Sequence, residues 1–174
     1  FFLYYKGTAS LNNRKIISIV GTRNMTHYGK TFTESFVADI SKRYPDALIV
    51  SGLARGVDIT AHCAALDNGL DTLAVMGTSF PTIYPADHRR YVNDIMAHGG
   101  LMTQFQFQSS TDNKNFVERN RIIAAMSTAV VLVRAAKRSG GLITVNQAMS
   151  MNKTVFALPG NIDSRLSAGA NELI

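Results

Sequence analysis

The 174-residue chain has a single cysteine, Cys63, no tryptophan, and 12 acidic residues against 18 basic ones. One cysteine excludes an intramolecular disulfide and any Cys-x-x-Cys metal or redox motif. It fits a reducing compartment, so a cytoplasmic location is expected. No apolar run approaches the roughly 20 residues that a membrane-spanning helix needs. The opening Phe1-Phe2-Leu3-Tyr4-Tyr5 has neither the basic n-region nor the long apolar h-region of a signal peptide. A soluble chain with no membrane partner is expected. It begins without methionine and stops on Leu173-Ile174, and flanking domains of a longer protein are expected beyond it.

Several catalytic signatures are also missing. No G-x-G-x-x-G follows the first apolar run and no acidic residue closes the second, so the dinucleotide fingerprint fails. There is no G-x-x-x-x-G-K-[ST] loop for ATP and no G-x-S-x-G nucleophile elbow. The histidines His27, His62, His88 and His98 form no H-x-x-x-H pair and no carboxylate cluster at metal spacing. Neither a metal nor another cofactor is expected. His62 reads as a structural side chain hydrogen-bonded near a turn, and Asp58 as an N-cap or a partner holding Arg55.

What is present is an ordinary globular composition. With 46% hydrophobic and 17% charged residues, global disorder is excluded. A chain of this length buries roughly 70% of its unfolded surface as one domain. The net charge of +6 favours an anionic partner, and its placement is uneven. Residues 1–112 carry ten basic and nine acidic side chains, whereas residues 113–174 carry eight and three.

Short apolar runs at 16–20, 47–50, 72–76, 100–103, 129–133 and 154–158 have the near-continuous hydrophobicity of strands covered on both faces. Between them, Phe32, Phe36, Val37 and Ile40, then Ile59, Cys63 and Leu66, then Val92, Ile95 and Met96, and then Ile122, Ile123 and Met126 recur at helical spacing. This alternation predicts an α/β fold of the doubly wound, Rossmann-like kind: a mostly parallel sheet with helices on both faces. One domain spanning 1–174 is expected, with 1–14 as a lead-in segment packed on the sheet edge. The polar stretch 104–114 is the longest candidate loop.

Ligands of open parallel sheets bind outside the carboxyl ends of the strands. There the sequence places Gly21-Thr22-Arg23, Ser51-Gly52-Leu53-Ala54-Arg55-Gly56, Gly77-Thr78-Ser79, the stretch from Arg134 through Lys137 to Ser139-Gly140-Gly141, and Pro159-Gly160-Asn161. Glycine lets backbone N–H groups approach an oxyanion, and a following helix adds its positive end, so phosphate is the natural guest. Taken singly, such a glycine equally serves tight turn geometry. Ser51 and Ser139 read as phosphate contacts, not nucleophiles. The helix opening Asn115-Phe116-Val117-Glu118-Arg119-Asn120-Arg121 carries two arginines that cannot share a helix face. One is expected to enter the ligand edge while the other braces the loop or a second phosphate; the alternative is a solvated helix start with Glu118 paired locally. Phe116 beside guanidinium groups suits single-stranded nucleic acid, although such a ring alone is more often core.

In order along the chain, Val20-Gly21-Thr22-Arg23, Ser51-Gly52-Leu53-Ala54-Arg55-Gly56-Val57-Asp58, Asn115-Phe116 with Arg119-Asn120-Arg121-Ile122-Ile123-Ala124, Arg138-Ser139-Gly140-Gly141-Leu142-Ile143-Thr144, Leu158-Pro159-Gly160 and Gly169-Ala170-Asn171-Glu172-Leu173-Ile174 resemble the DNA-processing protein A family (DprA, also called Smf). The resemblance runs from about residue 15 onward. It implies a Rossmann-like domain that binds single-stranded DNA without cutting it, protects incoming DNA in bacterial natural transformation, helps load the RecA recombinase, and forms a homodimer. By position, Arg55, Arg119 and Arg121 then become phosphate ligands and Phe116 a base contact. Gly21, Arg23, Ser51, Gly52, Gly56, Lys137, Ser139, Gly140 and Asn171 complete the expected DNA- and phosphate-binding set, with no catalytic residue. Gly141 stands where the family often has a small hydroxyl residue. The competing reading is a LOG-type nucleotide phosphoribohydrolase. There a carboxylate would follow the glycine-rich loop, and Gln147 occupies that place; an amide cannot serve as its general base.

Overall fold

A computed structural model describes residues 2–12, 14–107 and 112–174. In chain order the elements are β1 (Tyr4–Gly7), β2 (Ile16–Val20), α1 (His27–Arg43), β3 (Leu48–Ser51), α2 (Val57–Asp67) and β4 (Asp71–Val75), then a 3-10 turn (Ala86–Tyr91) leading into α3 (Val92–Ala97). The chain continues through β5 (Gly99–Thr103), α4 (Asn113–Met126), β6 (Ala129–Leu132), α5 (Gly140–Ser150), β7 (Thr154–Ala157) and the short α6 (Ala168–Asn171). The seven strands form one sheet in the order β1-β5-β4-β3-β2-β6-β7, parallel except where β1 pairs antiparallel with β5. The doubly wound α/β fold expected from the alternation is the fold observed.

Alternation of side chains along β2 explains the layers. Ile17 and Ile19 pack with Val37 of α1 and Val57 and Ala61 of α2. Ile16 and Val20 pack on the opposite face with Ile122 and Ile123 of α4 and Val145 and Ala148 of α5. Ser18, the polar interruption of this run, is fully buried and lies 2.6 Å from Ser127 Oγ, which donates to it. Two covered faces therefore account for the unbroken burial of β2.

The lead-in segment holds a strand that periodicity did not reveal. All four residues of β1 are exposed, so no apolar face marks it. Its place is set by pairing Tyr4 to Gly7 against Thr103 to Gly100, and by the Tyr5 hydroxyl, which donates to the Ala9 and Gly99 carbonyls at 2.8 and 3.0 Å. Of the polar stretch 104–114, residues 108–111 lie outside the described residues, and α4 begins at its end, with the Asp112 side chain accepting from Lys114 N–H.

From β2 the chain winds outward through β3, β4 and β5, and then returns through α4 to β6 on the other side of β2. At such a reversal the loops leaving neighbouring strands diverge and open a crevice at their carboxyl ends. Among the described residues no helix is long and apolar enough to cross a membrane, and no three or more His, Cys, Asp or Glu side chains could hold a metal.

Candidate functional site

The crevice is a cleft of about 430 Å³ at the carboxyl ends of β2, β3 and β6. Gly21, Thr22 and Arg23 form one wall, Ser139, Gly140 and Gly141 another, and Asn113, Phe116, Val117 and Asn120 of α4 a third. The last four stand at i, i+3, i+4 and i+7, one face of a helix. That periodicity, read from Phe116, was the available signal for Asn113 and Asn120.

The α5 end of the cleft is open to an acceptor. Ser139 sits at the N-cap position yet makes no cap hydrogen bond, and its Oγ is buried with no partner. Gly140 has open space where a side chain would stand. Gly141 has none: a Cβ there would lie 3.0 Å from a Leu132 methyl and 3.4 Å from Gly21 Cα. This glycine draws the start of α5 against β2. The first N–H groups of a helix lack intrahelical acceptors and carry its positive dipole end. Together with Arg23, which is exposed on the opposite wall, they form a concave site for an oxyanion. The Phe116 ring is half-buried beside it.

The turn after β3 works differently. Its N–H groups already have an anion, because the Asp58 carboxylate accepts from Gly52 N–H at 3.1 Å and Ala54 N–H at 3.3 Å. Burial raises the Asp58 pKa, opposed first by the Arg119 charge and then by hydrogen bonds that include these two. Arg119 is 4% exposed and donates from Nη1 to the Gly52 carbonyl at 2.6 Å and to the Val75 carbonyl, and from Nε to Asn120 Oδ1. Asn120 in turn donates to the Gly140 carbonyl at 3.4 Å. Burial lowers the Arg119 pKa to about 10, which leaves it charged at neutral pH. It clamps the ends of β3 and β4 to α4.

This arrangement reassigns several residues. Gly52 makes room for the clamp, since a Cβ on it would lie 2.6–2.7 Å from the Arg119 guanidinium. Ser51 is fully buried and donates to the Ile19 carbonyl at 2.6 Å, so its hydroxyl is withdrawn from the cleft. Gly56 has φ +75°, and a Cβ there would lie 2.4 Å from the Thr22 carbonyl oxygen; it lets the β2 and β3 loops touch. Asp58 does not hold Arg55. Arg55 is exposed and pairs with Asp87 at 3.2 Å, beside a small recess shared with Arg23, Tyr84 and Phe116.

Other expected residues lie elsewhere. Arg121 projects from α4 into a separate groove with Phe2, Tyr4 and Phe105. Lys137 pairs with Glu172. Asn171 grips Gly160, accepting from its N–H at 2.9 Å and donating to its carbonyl at 3.0 Å. The loop at Gly77 is covered, because the Phe116 ring would lie 2.5 Å from a Cβ there. The loop at Pro159-Gly160-Asn161 lines a different cleft. The five glycine loops thus share an edge without sharing one pocket. The charge surplus after residue 112 is dispersed too, and the charged residues lining the cleft are Arg23, Asp58 and Arg119.

Exchanging Gly52 for alanine should destabilise the fold by roughly 1–2 kcal/mol through overpacking. Most of that cost should vanish in an Arg119→Ala background, because the clashing group is gone. Urea unfolding of the double-mutant cycle measures this, and additive costs would show that Gly52 does not serve the clamp.

The family model described as DNA recombination-mediator protein A matches residues 1–174. DNA processing protein DprA of Streptococcus pneumoniae is 36% identical over 99% of this chain and 60% of its own length. The X-ray structure of that protein superposes with a TM-score of 0.91 over 98% of this chain and 59% of the other. A structure of DNA processing protein A from Helicobacter pylori, described as giving insights into that protein's single-stranded DNA binding mode, is 31% identical, with a TM-score of 0.89 over 98% of this chain and 77% of the other. The chain spans 40–60% of the length of several curated relatives it matches.

Proposed function

Because the chain belongs to the DNA recombination-mediator protein A family, we propose that it binds single-stranded DNA, with little regard to sequence, in the cleft between the β2 loop, α4 and the start of α5. The observation that carries this reading is the uncapped start of α5, with open space at Gly140, in a cleft whose exposed charge is Arg23 and whose wall includes the Phe116 ring. A phosphate fits the helix end and arginine, and a base fits the ring; both contacts tolerate any sequence.

The domain acts without chemistry on the strand. The carboxylate that lines the cleft, Asp58, is buried and tied to two backbone N–H groups. Gln147 does not line the cleft, and its Oε1 is buried. A phosphoribohydrolase would need a carboxylate free to face the ribose. The wider role follows from the resemblance: protection of incoming single strands in the cytoplasm during natural transformation and delivery to the RecA recombinase by a homodimer.

Anisotropy of a labelled oligothymidine, titrated with protein at two salt concentrations, tests the reading. Affinity should fall steeply as salt rises, because phosphate contacts release counterions. Replacing Arg23 by alanine should weaken binding by about 1–2 kcal/mol and leave unfolding unchanged. No binding at low salt, or binding indifferent to salt, defeats the proposal, and release of free adenine from AMP would favour the hydrolase.

A further inference from the structure

A second cleft, about 360 Å³, opens on the other side of the same two loops. The loop joining β2 to α1 lines the first cleft with Gly21 to Arg23 and the second with Thr26. The loop joining β6 to α5 lines the first with Ser139 and the second with Val133 and Arg134. The floor of the second cleft is the turn after β7, at Pro159 to Asn161.

Its polar groups are short of acceptors. Arg134, the only charged residue lining it among the described residues, donates from Nη2 to Ser164 Oγ at 3.1 Å, while its Nε is buried and has no partner. Accepting that bond leaves the Ser164 hydroxyl proton available to an outside group. Ser167 lines the same cleft and is 5% exposed, with its hydroxyl beside Gly160. A buried guanidinium N–H left unsatisfied is costly unless an acceptor reaches it. With no carboxylate among the described residues that line it, the missing partner is an anion that presents several oxygens.

We propose that this second cleft holds a backbone phosphate of the same single strand, beyond the segment seated in the first cleft, with Arg134, Ser164 and Ser167 as its ligands. The inference rests on strand binding in the first cleft and extends it: the strand crosses the paired loops rather than ending at them. Arg134 then sets how many nucleotides one domain covers.

The test is anisotropy on the intact protein with oligothymidines of increasing length. Affinity of the wild type should rise once the oligomer outgrows the first cleft. Arg134→Gln should leave the shortest oligomer unaffected and weaken the longest about tenfold, with the slope of log K against log salt smaller by about 0.7, the value for one phosphate on a single strand. Ser167→Ala, which removes only the hydroxyl, should weaken the longest oligomer about twofold to threefold and guards against a folding defect in the arginine variant. Wild-type affinity of both variants for every length, with Arg23→Ala still weakening all of them, overturns the second subsite and leaves the first. Equal weakening by Arg134→Gln at every length also overturns it. Absence of any binding by the wild type overturns both.

Discussion

Replacing Arg119 by alanine should lower the unfolding free energy by roughly 3–5 kcal/mol, the range for removing one partner from a buried charge arrangement. Two carbonyls, Gly52 O and Val75 O, lose their donor at once. Asp58, already raised in pKa by burial, loses the charge that most opposes that rise, so its carboxyl should become harder to ionise. Arg119→Lys should recover only part of the loss, because an ammonium cannot reproduce a fork that reaches two carbonyls and Asn120. Urea unfolding followed by circular dichroism measures the change. A loss below about 1 kcal/mol would mean the clamp does little for stability, and that Arg119 is better regarded as a ligand of the strand.

Acid should weaken the fold through His62. This ring is fully buried; its Nδ1 lies 2.7 Å from Thr72 Oγ1, and its Nε2 has no partner. The Thr72 hydroxyl proton goes to the Ile49 carbonyl at 3.0 Å, so His62 Nδ1 must be the donor, and the ring is neutral. Burial first, then the charges of His88 and Arg119, lower its pKa to about 3. In the unfolded chain the ring takes up a proton near pH 6.5 that the folded chain refuses. The stabilisation is therefore complete above that pH and declines as pH falls towards 3, by about 1.4 kcal/mol per unit. Asp58 works in the opposite direction, since its raised pKa makes protonation favour the folded state. Comparing wild type with His62→Leu cancels that contribution. The difference in stability between the two should shift by about 3 kcal/mol in favour of the variant between pH 7 and pH 4; a difference flat with pH would show that the ring is not held neutral.

The sheet was legible because strands buried on both faces read as apolar runs, and β2 begins and ends where its run does. β1 was not, because its residues are exposed and its partner strand lies far along the chain. The arginine pair shows the same boundary. Helical geometry alone requires Arg119 and Arg121 to face apart, and they do, one into the clamp and the other into a separate groove. Which of them would be buried depends on carbonyls 67 and 44 residues away, and nothing local to α4 encodes those. Lys137 and Asn171, assigned to the binding set by position, contact Glu172 and Gly160 and do not line the first cleft. What a glycine or a cation in a motif does for the backbone is known only once its neighbour is known.

Asp58 gives the β3 turn a resident counterion. The Gly52 and Ala54 N–H groups therefore need no anion from solvent, and the turn is held in shape by a ligand that the chain itself supplies. If the proposed strand binding holds, the salt response of the first cleft should come from Arg23 and the α5 end, with Asp58 already neutralising the turn beside them.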